Sequence, residues 1–182
     1  SGGKTMHSIV QHIETSRTFD VQVVPATGAR QGRYYTDVNN LASMLAEKLG
    51  GKAYQIHAPV LVDKPEDRDA LMSLRQISDI LDMARNARIA LFSVGSMIPN
   101  VSSYFDLMSN ELLGNEWERA FEDAGTVGEV LAYVYDNHGQ LCMPDFNDLV
   151  IGLTLEELKS IPLTIAVAAT AEKTLPIYGA LQ

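Results

Sequence analysis

Apolar patterns of helix type and strand type alternate along nearly the whole chain of 182 residues. Two of the strand-type runs are short and almost continuously apolar, Ile89 to Val94 (IALFSV) and Thr164 to Ala169 (TIAVAA). Runs of this kind are typical of strands that are buried on both faces of a parallel sheet, because helices pack against the two faces. The alternation therefore predicts a three-layer α/β domain with a mostly parallel sheet.

Helical spacing, capping residues and turn residues predict the other elements. Two further strands are expected, over Phe19 to Val24 and Tyr54 to Val62. The expected helices are Met6 to Ile13, Val38 to Leu49, Pro65 to Asn86, Ser102 to Asp123 and one opened by the capping box at 154 to 157. Residues 127 to 148 depart from the alternation, because two strand-type stretches flank an NHG turn. This region predicts a small inserted β-hairpin.

Composition and charge exclude several classes of protein. Lys and Arg total 14 against 23 Asp and Glu, and the net charge of -9 argues against a broad nucleic-acid-binding or anionic-membrane surface. No apolar run reaches the roughly 18 residues of a transmembrane helix, and the first residues do not resemble a secretion signal. The single Cys142 forms no internal disulfide and suits a reducing cytoplasm. We therefore expect a cytoplasmic protein without membrane contact.

Both ends of the chain have unusual patterns for a complete domain. A glycine-rich turn stands at residues 1 to 5, although such turns normally follow a strand. The last residues, EKTLPIYGALQ, have a helical pattern without a cap. We interpret residues 1–182 as one domain that is cut at both ends.

The candidate binding residues come directly after predicted strands or at a glycine turn. Ligands of open parallel sheets bind outside the carboxyl ends of the strands, so these positions are considered first. The candidates are Gly3, Lys4, Thr5, Gly95, Ser96, Gly128, Glu129 and Lys173.

The segment SGGKT combines glycines, a cation and a hydroxyl at the start of a helix. Free N–H groups and the helix dipole at such a position favour an anion, and phosphate is the natural guest. The letters GKT also end a Walker A loop, but no predicted strand ends in the Asp that a nucleotide-bound magnesium would need. A plain glycine turn and an anion site involving Gly3, Lys4 and Thr5 remain equally open.

The other candidates also have a simpler structural interpretation. Gly95 and Ser96 fit a ligand-lined turn, yet any strand-to-helix turn of an α/β protein can look the same. Glu129 lies among apolar neighbours and could bind sugar hydroxyls, but alternation alone favours a solvent-facing side chain. Lys173 could reach a bound phosphate, and a solvated lysine in a first helical turn is the favoured alternative.

The four histidines give no pattern of a metal centre. None of them has metal-ligand spacing such as H-E-x-x-H, and no cysteine accompanies them. We expect neither a metal site nor a cofactor.

Five segments, taken in order, resemble a known family. They are SGGKTM, LASMLAEKLGG followed by HAPVLVD, LFSVGSM, GTVGEVLAYVYDNHG, and IGLTLEELKSIPLTIAVAATAEKTLPIYGALQ. Their order and spacing resemble the effector-binding domain of the SorC family of bacterial transcription regulators, which includes regulators of sugar and deoxyribonucleoside operons. The resemblance spans essentially the whole chain.

The resemblance implies a Rossmann-like fold similar to sugar-phosphate isomerases and deaminases, used for sensing and not for catalysis. It implies a sugar or sugar-phosphate effector, a dimer or tetramer, and contact with operator DNA through a helix-turn-helix domain that is absent from this chain. By the same resemblance, Gly3, Lys4 and Thr5 form an anion loop, and Gly95 and Ser96 line the pocket. Glu129 then binds sugar hydroxyls, and Lys173 approaches the phosphate or carbonyl end.

Two functions follow from these residues. The first is a ligand-sensing domain, in which the effector shifts the population of subunit arrangements. The second is a sugar-phosphate isomerase or deaminase on the same fold, with Glu129, Asp136, His138 and Lys173 as acid-base groups. Fold analogy alone does not separate them.

Overall fold

The computed structural model describes residues 2–30, 37–98 and 115–182 of the chain. In these ranges the helices are α1 (Lys4–His12), α2 (Val38–Leu49), α3 (Pro65–Ser73), α4 (Arg75–Arg85), α5 (Asn115–Asp123), α6 (Pro144–Asn147), α7 (Leu155–Lys159) and α8 (Thr174–Ala180). The strands are β1 (Gln22–Val23), β2 (Lys52–Ala53), β3 (Ile89–Ser93), β4 (Gly95–Ser96), β5 (Gly128–Val130), β6 (Tyr133–Tyr135) and β7 (Leu163–Val167). A 3-10 turn at Ala171–Lys173 precedes α8.

The strands form two parallel pairs and one antiparallel sheet. β1 pairs with β2, and β3 pairs with β7 over five residues, from Ile89 opposite Leu163 to Ser93 opposite Val167. β4, β5 and β6 form a three-stranded antiparallel sheet in that order. The predicted α/β class with parallel pairing is confirmed. Residues 127 to 148 contain a hairpin, but its strands β5 and β6 are joined at Leu131 and Ala132, inside the run that the sequence predicts as one strand. Across the predicted NHG turn the structure has only an isolated bridge, between Tyr135 and Leu141.

Several predicted strands are shorter than their apolar runs. Of the run from Phe19 to Val24, only Gln22–Val23 is paired as a strand. Its partner, β2, lies just before the second predicted strand, which begins at Tyr54. The later part of that run makes isolated bridges, at Pro59 and at Leu61. Pro59 has no N–H to donate to a continuous ladder, which limits regular pairing there.

The long helix predicted from Pro65 to Asn86 is two helices. Leu74 has φ -67° and ψ 124°, an extended conformation that ends α3 and begins α4. The break turns Leu74 out of the apolar stripe, and its side chain is 52% exposed. Ile77 and Leu81 of α4 remain buried. The helical spacing from Leu71 to Ala84 predicts Leu74 on the same buried face as Ile77 and Leu81, and for Leu74 this prediction is wrong.

The inserted hairpin lies at the centre of the largest apolar cluster. Residues 130 to 135 are all buried, and they pack with the segments around α6 and α7. Phe146 stacks edge-on against Phe121, with ring centroids 5.1 Å apart. The hairpin is therefore part of the core that holds the ends of β3 and β7 in place.

The strands β3 and β7 are more exposed than predicted. Ile89 and Ile165 expose 58% and 40% of their surface, whereas their apolar runs predicted burial on both faces, and Leu163, just before the second run, exposes 49%. Because β3 and β7 pair regularly with each other, these side chains are exposed to open space next to the two strands.

Two other expectations concern the helix that ends at Asp123 and the absence of a transmembrane helix. Of the helix predicted from Ser102 to Asp123, the part up to residue 114 lies outside the described residues, and Asn115–Asp123 is helical. In the described ranges, no helix combines the length and apolar character needed to cross a membrane.

Candidate functional site

The carboxyl ends of β3 and β7 bring together most of the residues predicted for binding. Past its last residue, β3 leads through Val94 into Gly95 and Ser96 of β4. β7 leads within a few residues into the 3-10 turn that carries Lys173. Since the two strands are parallel, their following segments start at the same edge of the sheet.

The glycine loop lies against the end of β3. Ser93 Oγ donates a hydrogen bond to the carbonyl of Gly2 at 3.0 Å. Gly3 has φ +120°, a conformation that L side chains rarely adopt, and a Cβ there would lie 3.4 Å from Ser93 Oγ. The glycine therefore allows the loop to turn tightly over Ser93 before α1 begins.

Lys4 and Thr5 form the first turn of α1. Lys4 is exposed and Thr5 is half-buried. The N-cap, Gly3, makes no side-chain capping bond, so the N–H groups of this turn are not satisfied by a cap. The arrangement matches the predicted anion loop, but whether it binds an anion stays a prediction.

Glu129 lies across Gly95 in the antiparallel sheet. The two residues are directly opposite in the register of β4 and β5. A Cβ on residue 95 would come within 2.0 Å of Glu129 Oε1. The glycine is thus needed to make room for the carboxylate.

The carboxylate of Glu129 is buried, contrary to the solvent-facing orientation that alternation favours. The residues of β5 and β6 are buried on both faces of the hairpin, so alternation does not separate an inner from an outer side here. Glu129 Oε2 accepts one hydrogen bond, from the N–H of Ala132 at 3.1 Å. Ala132 has φ 75°, and this turn conformation directs its N–H back at the carboxylate.

Burial controls the protonation of Glu129. Desolvation raises the pKa of the carboxyl group from 4.5 to about 7, while the Ala132 N–H and the positive charge of Lys173 act in the opposite direction. A carboxyl group of this kind changes its charge near neutral pH. It can accept hydrogen bonds from hydroxyls when ionised and can donate one when protonated.

Lys173 points back toward the end of β3 instead of into solvent. Its Nζ donates a hydrogen bond to the carbonyl of Val94 at 2.7 Å, and the side chain is half-buried. Desolvation lowers the pKa of Lys173, and the nearby carboxylate of Glu129 raises it. The solvated alternative that the sequence favoured for Lys173 is therefore wrong.

Ser96 and Gly128 each make a contact within the protein that explains the residue type at that position. Ser96 is buried, and its Oγ accepts a hydrogen bond from the N–H of Ile98 at 3.1 Å. Gly128 lies opposite Ser96 and packs under a tyrosine, because a Cβ there would be 2.5 Å from Tyr135 Oη. Both residues lie beside Glu129 in the sheet, and a direct contact of either with ligand stays a prediction.

Sequence reasoning missed Tyr135, which connects the two halves of the site. Its Oη donates a hydrogen bond to the carbonyl of Pro176 at 2.9 Å, so it ties the hairpin of Glu129 to the helix that follows Lys173. The only sequence clue is that Tyr135 lies in an apolar strand-type run, next to Val134. Ser93 was missed as well, although it is the polar last residue of an apolar strand.

Tyr135→Phe is expected to lower the free energy of unfolding by about 1 kcal/mol, because the buried Pro176 carbonyl loses its donor. Thermal unfolding should show a decrease in Tm of about 2–4 °C. Tyr178→Phe, on the exposed side of α8, is the matched control and should leave Tm unchanged. Equal Tm values for the two variants would contradict the bridging role of Tyr135.

Asp136 and His138 have a different environment from Glu129 and Lys173. Asp136 Oδ1 accepts hydrogen bonds from the N–H groups of His138 at 2.8 Å and Gln140 at 2.9 Å, which closes the hairpin turn. His138 is exposed on that turn. No contact described in residues 115–182 joins either of them to Glu129 or Lys173. In the described part of the chain, no cluster of three or more His, Cys, Asp or Glu residues has the arrangement of a metal site.

Comparison with known families gives the site its context. The family model Sugar-bind, described as "Putative sugar-binding domain", matches residues 1–182. This chain belongs to the Sugar-bind family. The resemblance drawn from the five ordered segments is thereby confirmed at the level of the family.

Relatives of this Sugar-bind domain are transcription regulators. It is 29% identical over 182 residues to the deoxyribonucleoside regulator of Bacillus subtilis, with 100% of this chain and 56% of the relative covered. The crystal structure of a sugar-binding domain of a transcriptional repressor from Vibrio fischeri has 27% identity and a TM-score of 0.85, over 99% of this chain and 69% of that chain. The chain thus spans little more than half the length of the Bacillus regulator.

A third comparison concerns the fold. The full-length sorbitol operon regulator SorC from Klebsiella pneumoniae has a TM-score of 0.88 and 23% identity, over 99% of this chain and 58% of that chain. The Sugar-bind domain therefore has the fold found in a full-length regulator. The Bacillus and Vibrio relatives are transcription regulators, so they lend no support to the isomerase or deaminase alternative.

Proposed function

We propose that this chain is the ligand-sensing domain of a bacterial transcription regulator and that its effector is a sugar or sugar phosphate. The observation that carries the proposal is the buried Glu129 carboxylate, placed over Gly95 and near the Lys173 ammonium at the carboxyl edge of β3 and β7. A buried carboxylate with one backbone donor has free acceptor capacity, which sugar hydroxyls satisfy.

The proposed ligand lies between three groups. Its hydroxyls bind Glu129, its carbonyl or phosphate end approaches Lys173, and a phosphate, if present, reaches the first turn of α1 at Lys4. Family membership and the regulator relatives support sensing over turnover. In the whole protein the effector changes the arrangement of subunits in a symmetric dimer or tetramer. That change alters operator binding by a separate DNA-binding domain in the cytoplasm.

The experiment is a binding screen followed by calorimetry. Pentoses, hexoses, polyols and their monophosphates are tested at millimolar concentration by thermal shift, and each hit is titrated calorimetrically. An NMR time course of each hit separates sensing from catalysis, because an effector stays unchanged whereas a substrate is consumed. Failure of every compound to bind the full-length regulator would remove the basis of the proposal.

Lys173→Met is expected to weaken binding of a screened effector roughly tenfold, which corresponds to the loss of one hydrogen bond to a charged group. The apolar stem of Met keeps the packing of the half-buried side chain. Lys159→Met, at the exposed end of α7, is the matched control and should bind like the parent protein. Unchanged affinity of the Lys173 variant would exclude Lys173 from the site.

A further inference from the structure

Thr170 has a backbone conformation that glycine adopts freely and that other residues adopt only under strain. It lies between β7 and the 3-10 turn of Lys173, with φ 88° and ψ 153°. This region of backbone space is essentially restricted to glycine, and the β-branched side chain of threonine is stiff as well. Gly3, in the loop beside Ser93, has a similar conformation, with φ 120° and ψ 159°. Two loops at this edge of the sheet thus share a backbone shape, and one of them forms it without a glycine.

Both ends of the segment that contains Thr170 are attached to one residue, Val94. The N–H of Val94 donates to the carbonyl of Val167, at the end of β7, at 3.1 Å. The carbonyl of Val94 accepts from Lys173 Nζ at 2.7 Å. The segment between Val167 and Lys173 therefore closes a tight loop over Val94, and the strained backbone of Thr170 lies inside that loop.

Packing of the turn itself does not hold Thr170 in this conformation. Residues 169 to 172 are all exposed. The hydroxyl of Thr170 bonds the carboxylate of Glu172 within the same turn, which lowers the pKa of that carboxyl group. Among the side-chain hydrogen bonds described for residues 169–173, the one that reaches outside the turn joins Lys173 Nζ to the carbonyl of Val94. This bond is therefore what keeps the turn strained.

Opposing forces act on Lys173 in this position. The bond to Val94 and the nearby carboxylate of Glu129 favour it. Desolvation lowers the pKa of Lys173, so the position costs the ammonium part of its hydration, and the strain at Thr170 opposes it as well. If the bond to Val94 breaks, Thr170 can rotate to a negative φ and the ammonium can turn into solvent. The turn thus has the means to occupy two positions.

We propose that Thr170 is a hinge that positions Lys173 in the site. Its backbone is strained in an engaged position, with Lys173 on the carbonyl of Val94 beside Glu129, and relaxed in a released position, with Lys173 in solvent. An effector that binds Lys173 and Glu129 together selects the engaged position. This last step rests on the proposed function, whereas the hinge itself does not.

The test measures how fast acetic anhydride acetylates the amine of Lys173, by mass spectrometry, in the whole protein and without any sugar. Thr170→Gly removes the strain, whereas Thr170→Ala keeps a Cβ and therefore keeps the strain. Both variants lack the hydroxyl that bonds Glu172, so the comparison isolates the Cβ.

We expect Lys173 to be acetylated about tenfold more slowly in Thr170→Gly than in Thr170→Ala, because relief of the strain raises the population of the engaged position. Thermal unfolding should also give the glycine variant a Tm about 4 °C higher than the alanine variant. Equal acetylation rates in the two variants would overturn the proposal. A higher Tm without slower acetylation would overturn it too, because Thr170 would then have a structural role alone.

Two controls make the result specific. Lys52 and Lys159 are exposed and should be acetylated at the same rate in every variant. Ala169→Gly places a glycine at the exposed neighbouring residue, whose φ is not positive, and should not slow acetylation of Lys173. Slowing by Ala169→Gly equal to that by Thr170→Gly would contradict the hinge. Slower acetylation in Thr170→Gly, combined with failure of every sugar in the binding screen, would support the hinge and contradict only the proposed function.

Discussion

Glu129→Gln is expected to remove a pH-dependent loss of stability of about 3 kcal/mol between pH 4.5 and 8. The pKa of this carboxyl group is raised from 4.5 to about 7 by burial. Below pH 4.5 the group is protonated in both folded and unfolded chains, so it does not lower the free energy of unfolding. As pH rises to about 7, the unfolded chain releases the proton while the folded chain retains it, so the free energy of unfolding falls. Above this window the group is ionised in both states, and the loss of unfolding free energy stays constant.

Urea unfolding at several pH values from 4.5 to 8 measures this contribution. The difference in unfolding free energy, variant minus parent, should increase by about 3 kcal/mol across the window, because glutamine does not ionise. Glu156→Gln on α7 replaces an exposed carboxylate and serves as the control, with a difference that stays flat. A flat difference for Glu129→Gln would mean that the buried carboxylate does not have the raised pKa on which its proposed role depends.

The sequence predicted the α/β class because local patterns decide it. The apolar, unbroken run from Ile89 to Val94 predicts a strand from its own residues, and Ile89–Ser93 forms β3, whose partner β7 has the same apolar character. The hairpin was placed in the right region but at the wrong turn, because the positive φ values of Leu131 and Ala132, where β5 and β6 are joined, have no glycine or other turn residue to mark them. The break at Leu74 was not predictable, because the helical spacing continues through it and no Pro or Gly marks it.

The sequence predicted that several candidate residues would lie at one edge of the sheet, but it did not predict the geometry there. Strand ends identified Gly95 and Lys173 as candidates, and the structure brings them to one edge of the sheet. The orientation of Glu129 depends on tertiary packing. Its hairpin is buried on both faces, so the period-two pattern holds no information about which side chains face solvent. Tyr135 is a similar case, because its hydrogen bond to Pro176 joins residues 41 positions apart.

Gly95→Ala is expected to lower the free energy of unfolding by about 3 kcal/mol and to weaken effector binding. The added Cβ would lie 2.0 Å from Oε1 of Glu129 and 2.7 Å from its Cγ and Cδ, so the whole side chain must move. Glu129 is buried and cannot swing into solvent, and overpacking of a buried contact costs up to this amount. Displacement also takes the carboxylate away from the Ala132 N–H.

A double-mutant cycle identifies the cause of the Gly95→Ala effect. In a Glu129→Ala background the clashing atoms are absent, so Gly95→Ala should then cost less than about 1 kcal/mol. Urea unfolding of the parent, both single variants and the double variant at pH 8 gives the coupling energy. A cost that is the same in both backgrounds would mean that residue 95 needs glycine for its backbone and not for the carboxylate. The expected coupling instead makes the glycine and the glutamate one structural unit, in which a small residue after β3 is what allows a charged group to be held inside the domain at the proposed effector site.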